Sequence, residues 1–316
     1  MCRILAYLGP ELPLDELLLK PSNSLIKQAR SPKHHPLMQL AGWGFGVWSE
    51  NFCEPAEPFL YRRPKPAFFD DNARYIVPQL TGHTAVAHVR AATYRSETVM
   101  ADENCHPFRF EGSPWIMVHN GSVYKWRLLQ SELLEHCRPE YLEQMRGTTD
   151  SEFVMALLLS LLEDDSTDGF QRAFEELLSL IVEAMKKLDS LKTCKLKLAF
   201  ACSGSIVAVN YGCGFEGETD LSGDWRELRR SEVGSPEFLL STILEPLYLL
   251  TGRDFMKYRN CYKVEDCEPS EATLAILASE PLTEDEDRWL ELPFGSMLRV
   301  DQVDDGVEFE LRSLEL

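Results

Sequence analysis

The sequence contains no C-x-x-C pair, no apolar run approaching a membrane span and no half with a surplus of bases. Its nine cysteines are odd in number and scattered along 316 residues. A disulfide framework and a zinc site are therefore both excluded, and reduced thiols in a cytoplasmic setting are expected. The longest apolar stretches, such as 153–159, are far shorter than the roughly 20 residues a spanning helix needs. No secretory leader is read at the start, where Pro10, Glu11, Asp15 and Glu16 closely follow the short apolar segment. A phosphate-cradling G-x-x-x-x-G-K-[ST] loop is also missing.

Charge is lopsided. The chain carries 51 acids and 32 bases, for a net charge of -19. Residues 1–150 hold 17 acids and 16 bases, so nearly all the excess lies in 151–316, with 34 and 16. Neither half offers the basic face that nucleic acid requires, and an anionic membrane surface is disfavoured for the same reason. The 44% hydrophobic content is ample for a packed core.

Apolar patterning predicts a strand over 3–8 and helical spacing over 12–28, broken at Pro21. The sequence Gly42-Trp43-Gly44-Phe45-Gly46-Val47-Trp48 alternates small and large residues, as a strand does where another backbone comes close. The proline-rich segment 55–66 reads as an irregular connection, and 84–89 as a buried strand. Asn120-Gly121 stands between two short apolar segments and predicts a hairpin turn. Helices are predicted over about 126–137, 150–163 and 168–190. Strands are predicted over 195–200 and 206–209, joined at Ser203-Gly204. Late strands follow at 274–278, 296–300 and 307–311. Without a clean linker, one domain over 1–316 is expected, with an insertion at 212–270 and the strands of 274–316 completing it.

Four places carry possible chemistry, and each has an ordinary explanation when viewed alone. Cys2 is a plain second residue, or, once Met1 is removed, a thiol and a free α-amine on one residue. The amine's ordinary pKa of about 7.7–8.0 would let it take the thiol proton. Arg90, at the end of His88-Val89-Arg90-Ala91-Ala92-Thr93, is a surface ion-pair partner or a fork for a carboxylate, with Thr93 adding a hydroxyl. Asn120 and Gly121 form a turn, or two donors aimed at an oxyanion. His106 and His119 read best as hydrogen-bonded core histidines, since ligands at metal spacing are lacking. Thr149 and Glu152 match a capping box, while Asp150 beside them is suited to an ammonium group.

Taken together, Cys2, Arg90, Asn120, Gly121 and Asp150 supply a nucleophile, a carboxylate fork, oxyanion donors and an ammonium partner, as cleavage of a γ-glutamyl amide requires. Their order, with Asn104-Cys105-His106-Pro107-Phe108, His119-Asn120-Gly121 and Thr149-Asp150-Ser151-Glu152, resembles the class II glutamine amidotransferases, members of the N-terminal nucleophile hydrolases. The resemblance runs from Cys2 to about residue 210, and resumes at 276–281 and 289–300. It is strongest to the stand-alone branch that includes the ergothioneine-pathway γ-glutamyl hydrolase and the yeast-type glutathione-degrading subunit.

The resemblance implies an α+β fold, a four-layer αββα sandwich of two antiparallel sheets between helix layers. It implies Cys2, Asn120 and Gly121 in catalysis and Arg90, Thr93, His119 and Asp150 in binding glutamine or a γ-glutamyl compound. No cofactor and no metal are implied. Ammonia made from glutamine would need a partner chain, and a homo-oligomer is the other association considered. A glutamine or γ-glutamyl sensor without activity is the rival from another class. The chain departs from the family at Ala41-Gly42, where Asp-Gly is frequent, and at Tyr94, where a small residue is common.

Overall fold

The computed structural model describes residues 2–34, 37–91, 99–188, 194–213, 224–233, 235–259, 261–304 and 306–314. Its strands are β1 (Arg3–Pro13), β2 (Trp43–Trp48), β3 (Phe59–Arg63), β4 (Thr81–Val89), β5 (Phe108–Arg109), β6 (Ile116–His119), β7 (Ser122–Val123), β8 (Cys194–Cys202) and β9 (Ser205–Cys213). Then come β10 (Leu247–Gly252), β11 (Phe255–Tyr258), β12 (Cys261–Val264), β13 (Leu274–Ala278), β14 (Leu290–Leu292), β15 (Ser296–Val303) and β16 (Gly306–Ser313). The helices are α1 (Leu14–Leu18), α2 (Leu25–Arg30), α3 (Asp71–Ile76), α4 (Trp126–Leu133), α5 (Pro139–Leu142), α6 (Asp150–Leu161), α7 (Thr167–Lys187), α8 (Trp225–Leu228) and α9 (Pro236–Leu244).

Two seven-stranded sheets form from these strands. One has the order β14-β10-β13-β1-β4-β2-β3; the other runs β16-β15-β9-β8-β6-β5, with β7 also paired to β8. Every pairing is antiparallel. Side chains alternate across a strand, so each sheet has two faces to cover. On β1, Leu5 and Tyr7 join a core that includes Leu14, Leu17, Leu25 and Ala29 of the short helices, whereas Ile4, Ala6 and Leu8 join Val118, Ala199, Ala201 and Ala208 of the other sheet. On β8, Leu196, Leu198 and Phe200 pack with Leu158, Phe170, Phe174 and Leu177 of α6 and α7. Three apolar layers in this order make the four-layer αββα sandwich, as the resemblance implied.

Three local expectations need correction, while the break at Pro21 falls where the sequence put it. The proline-rich segment is not wholly irregular: β3 lies within it as the edge partner of β2, flanked by its prolines. Pro cannot donate to a ladder and is tolerated beside an edge strand. The helical spacing around Pro21 resolves into two helices, α1 and α2. Asn120-Gly121 is not a hairpin turn, because β6 and β7 both pair with β8 in one continuous register, His119 opposite Leu198 and Ser122 opposite Lys195. Of the capping box only half forms. Thr149 Oγ1 accepts from the Glu152 amide at 3.3 Å, but the Glu152 carboxylate accepts from the amides of Arg146 and Gly147.

The glycine alternation of β2 has the predicted cause. A side chain on Gly44 would come within 2.3 Å of the His106 carbonyl and 2.4 Å of the Tyr61 carbonyl. The interval 212–270 contributes β10 to the first sheet, between β14 and β13. Among the described residues no helix is long and apolar enough to cross a membrane.

Candidate active site

The face that β1 turns toward the second sheet is apolar through Leu8, Ala6 and Ile4, and the next position on it is Cys2. The register pairs Arg3 with Val89, and extending it by one residue sets Cys2 opposite Arg90. The Ala91 amide donates to the Cys2 sulfur at 3.3 Å, and the thiol lies 3.5 Å from the Ala91 carbonyl. Cys2 is half-buried, so the thiol is held yet accessible.

Arg90 continues the β2–β4 pairing, its amide donating to the Gly42 carbonyl and its carbonyl accepting from the Ala41 amide. Its half-buried guanidinium reaches the Ala41 carbonyl at 3.4 Å and the Val99 carbonyl at 3.5 Å. Asn104 secures that second acceptor: its side-chain amide donates to the Val99 carbonyl and to Thr148 Oγ1, and its carbonyl oxygen accepts from the Thr148 amide at 2.7 Å. Asn104 thereby straps the Arg90 side of the site to the start of α6. Thr93 and Tyr94 lie outside the described residues.

On the second sheet, Ile116 and Val118 of β6 face the first sheet, and two residues further Asn120 does the same. Asn120 is 2% exposed, and its side-chain carbonyl oxygen has no hydrogen-bond partner among the described residues. Gly121 follows, between His119 and Ser122, which both pair with β8. A Cβ there would fall 1.9 Å from the Lys195 carbonyl and 2.2 Å from the His119 ring, so only glycine fits.

His119 is enclosed, and its Nε2 donates to the Lys195 carbonyl at 3.0 Å. That bond leaves Nδ1 as an acceptor, 2.9 Å from the Ser151 hydroxyl. Burial pushes its pKa below the usual value against the opposing pull of Asp150. The ring is thus a neutral clamp between β8 and α6. Asp150 accepts from the Val123 amide at 2.7 Å and the Ser151 amide at 2.9 Å, fixing the strand beyond Gly121 to the helix.

His88, from the first sheet, donates from Nε2 to the His119 carbonyl at 3.1 Å. Burial, then the nearby Arg90, hold its pKa down to about 3. His106 corrects the expectation of a hydrogen-bonded histidine: neither ring nitrogen has a partner among the described residues, and its ring centre lies 4.0 Å from that of His88. Cys105 does not pair with it. That thiol lies 3.5 Å from the Ala101 carbonyl, and burial pushes it up to about 11.

The sequence reading missed a cluster of charged groups behind Cys2. Arg3 and Glu280, both fully buried, form an ion pair at 2.6 Å, and Arg3 also donates to the Cys2 carbonyl at 3.0 Å. Glu245, 2% exposed, pairs with Arg229 at 3.3 Å. Burial opposes ionisation there, but Arg3, Lys197 and Arg229 outweigh it and bring the carboxyl down to about 2. Lys195 and Lys197 of β8 complete the cluster. The sequence signal was the alternation Lys195-Leu196-Lys197-Leu198, which marks the leucine face but does not reveal that a second sheet covers the other.

A family profile for class-II glutamine amidotransferases matches residues 23–206, more than half of the chain. The chain belongs to that family.

This class II amidotransferase is similar over 95% of its length to a probable glutamine amidotransferase of Saccharomyces cerevisiae, DUG3, at 26% identity and 82% of that protein. It is 34% identical over 125 residues to the gamma-glutamyl-hercynylcysteine sulfoxide hydrolase of Mycobacterium tuberculosis, a match covering 39% of this chain and 50% of that one. Among solved structures, a glutamine aminotransferase class-II domain protein from Silicibacter pomeroyi superposes with a TM-score of 0.54 at 19% identity, over 99% of this chain and all of the other. Glutamine phosphoribosylpyrophosphate amidotransferase from B. subtilis gives 0.55 at 15% identity, with 99% of this chain matching half of that one. The structural likeness extends the shared fold beyond the profile's limits, to both ends of the sandwich.

Proposed function

We propose that this amidotransferase hydrolyses a γ-glutamyl amide, glutamine or a γ-glutamyl conjugate, through a thioester on Cys2. The carrying observation is the position of Cys2: half-buried, opposite Arg90, on the same inter-sheet face as Asn120. With Met1 removed, the Cys2 amine takes the thiol proton and the thiolate attacks the γ-carbonyl carbon. The Asn120 side-chain amide and the Gly121 N–H stabilise the tetrahedral oxyanion. Arg90, with Thr93, binds the α-carboxylate. Asp150 has lone pairs beyond the two that accept backbone amides, and these take the α-ammonium. His119, closed in between Ser151 and Lys195, serves binding by fixing the strand that carries Asn120. The amine proton then passes to the leaving nitrogen, and water hydrolyses the thioester.

Similarity to a protein named as a γ-glutamyl hydrolase supports the substrate class. The test is turnover of glutamine and of small γ-glutamyl conjugates by the intact protein and by Cys2→Ala. Loss of nearly all hydrolysis in the variant is expected, and normal hydrolysis would overturn the proposal. Release of amine from conjugates is expected to exceed release of ammonia from glutamine. The reverse ratio would favour an ammonia-delivering subunit with a partner chain.

A further inference from the structure

Cys2 stands one residue outside β1, and once Met1 is removed a single peptide bond joins it to that strand. Its thiol and amine can then swing about the bonds of that residue unless something besides the ladder holds them. Two contacts do. The Ala91 amide donates to the Cys2 sulfur at 3.3 Å, and Arg3 NH1 donates to the Cys2 carbonyl at 3.0 Å. The second contact fixes the plane of the peptide between Cys2 and Arg3. With the sulfur held as well, the direction of the amine follows.

Arg3 owes its own place to the loop that follows β13. Its side chain and that of Glu280 are both fully buried. Arg3 Nε donates to Glu280 Oε1 at 2.7 Å and NH2 lies 2.6 Å from the same oxygen, which leaves NH1 for the Cys2 carbonyl. Glu280 is itself held. Its Oε2 accepts from the Lys33 amide at 2.8 Å, and its Oε1 from the His34 amide at 3.2 Å. The neighbouring Ser279 is tied to β1 twice: its hydroxyl accepts from the Ile4 amide at 2.9 Å, and its amide donates to the Ile4 carbonyl at 3.0 Å. A buried ion pair adds little net stability, because desolvation of the two ions offsets much of their attraction. What this pair supplies is a planar fork clamped in one orientation.

We infer that Glu280 and Arg3 are positioning residues for the nucleophile, their ion pair holding the Cys2 carbonyl and so aiming the thiol and amine at the bound amide; this rests on Cys2 being the nucleophile. Both act through Cys2 and need touch no substrate. Without the pair, Cys2 keeps its thiol and the glutamyl group keeps its binding partners, but the alignment for attack is lost.

The experiment compares two electrophiles on Cys2 of the full-length protein, read by mass spectrometry of the Cys2 peptide. A diazoketone analogue of glutamine fills the glutamyl site and reacts only when the sulfur faces its carbon, which takes the thiol proton and then the sulfur as dinitrogen leaves. Iodoacetamide needs no such alignment. Arg3→Met combined with Glu280→Gln leaves neither partner charged and keeps an acceptor for the Lys33 and His34 amides; its folding is checked by the melting transition. Its limiting rate of diazoketone labelling is expected to fall about 10- to 100-fold, with the half-saturating concentration unchanged and iodoacetamide alkylation kept. Arg3→Lys retains a charge against Glu280, which secures folding, but replaces the fork with a point donor. It is expected to lower the same rate in the same selective way. In a folded variant, an unchanged diazoketone rate, or equal slowing of both reagents, would overturn the inference while leaving Cys2 as the nucleophile. Failure of the diazoketone to label Cys2 in the unaltered protein would instead overturn the proposed hydrolysis, and this inference with it.

Discussion

His88 of the first sheet donates from Nε2 to the main-chain carbonyl of His119 in the second, at 3.1 Å. The strand that ends beside Cys2 is thereby tied to the strand that leads into Asn120. The tie joins the residue before the proposed oxyanion donors, Asn120 and Gly121, to the residue two before Arg90, the proposed carboxylate fork, so the spacing between sheets also sets how these residues face one another.

Replacing His88 with Phe keeps a ring in the space but removes the donor to His119. Loss of one buried hydrogen bond costs about 1–3 kcal/mol. A lower midpoint in urea unfolding is expected, with kcat reduced more than KM rises, since the oxyanion donors shift while Arg90 and Asp150 stay. Unchanged kcat at the lowered stability would show that the tie does not govern the site.

Stability is expected to fall on acidification. Burial holds His88 at about 3 and pushes His106 and His119 down as well, whereas an unfolded histidine titrates near about 6.5. Below that value the unfolded chain binds more protons than the folded one, so stability drops by about 1.4 kcal/mol per pH unit for each histidine. Glu245, held at about 2, adds a loss of the same sign as pH falls below its ordinary 4.5. Urea midpoints at about pH 7.5 and about pH 5.5 check the sign, and equal midpoints would refute it.

Gly121→Ala would set a methyl group 1.9 Å from the Lys195 carbonyl. The backbone on one side must move, at a cost of about 1–3 kcal/mol. Displacing the Gly121 N–H should also lower kcat by about 10²–10³, the usual effect of losing one oxyanion donor. Steady-state kinetics together with thermal melting separate the two effects; a folded variant with normal kcat would remove Gly121 from the mechanism.

Arg90→Met keeps the apolar stem and deletes the fork. Hydrogen bonds to a charged group contribute about 1.5–3 kcal/mol, so KM for a γ-glutamyl substrate is expected to rise about 10- to 100-fold. A substrate analogue lacking the α-carboxylate should lose this discrimination, and equal penalties for both would argue against carboxylate binding.

Much of this arrangement was legible in the sequence, where the signal was local and repeated. The glycine alternation of β2 forecast close backbone approach at Gly44, whereas Gly46 makes room for the Ile116 and Leu60 side chains, and the leucine face of β8 forecast one core layer. Asn120-Gly121 misled as a turn because a dipeptide preference is local, whereas the path of the chain is set by pairing with β8. The lysine face of β8 stayed hidden because alternation looks alike whether the polar face meets water or a second sheet. Glu245 and Glu280 were illegible for a different reason: neither stands at a helical or strand spacing from its partner, Arg229 or Arg3, and only the fold joins them.

The pair of Arg3 with Glu280 spans 277 positions of sequence. The residues proposed for the cleavage lie within the first 150 of the chain, yet Arg3, next to Cys2, finds its counter-ion only in the loop that follows β13. A nascent chain, or one cut short before β13 and its following loop, would carry all the motifs with Arg3 buried against no anion. The Arg3 side of the site is thereby completed by a segment far downstream of every motif, the loop that follows β13.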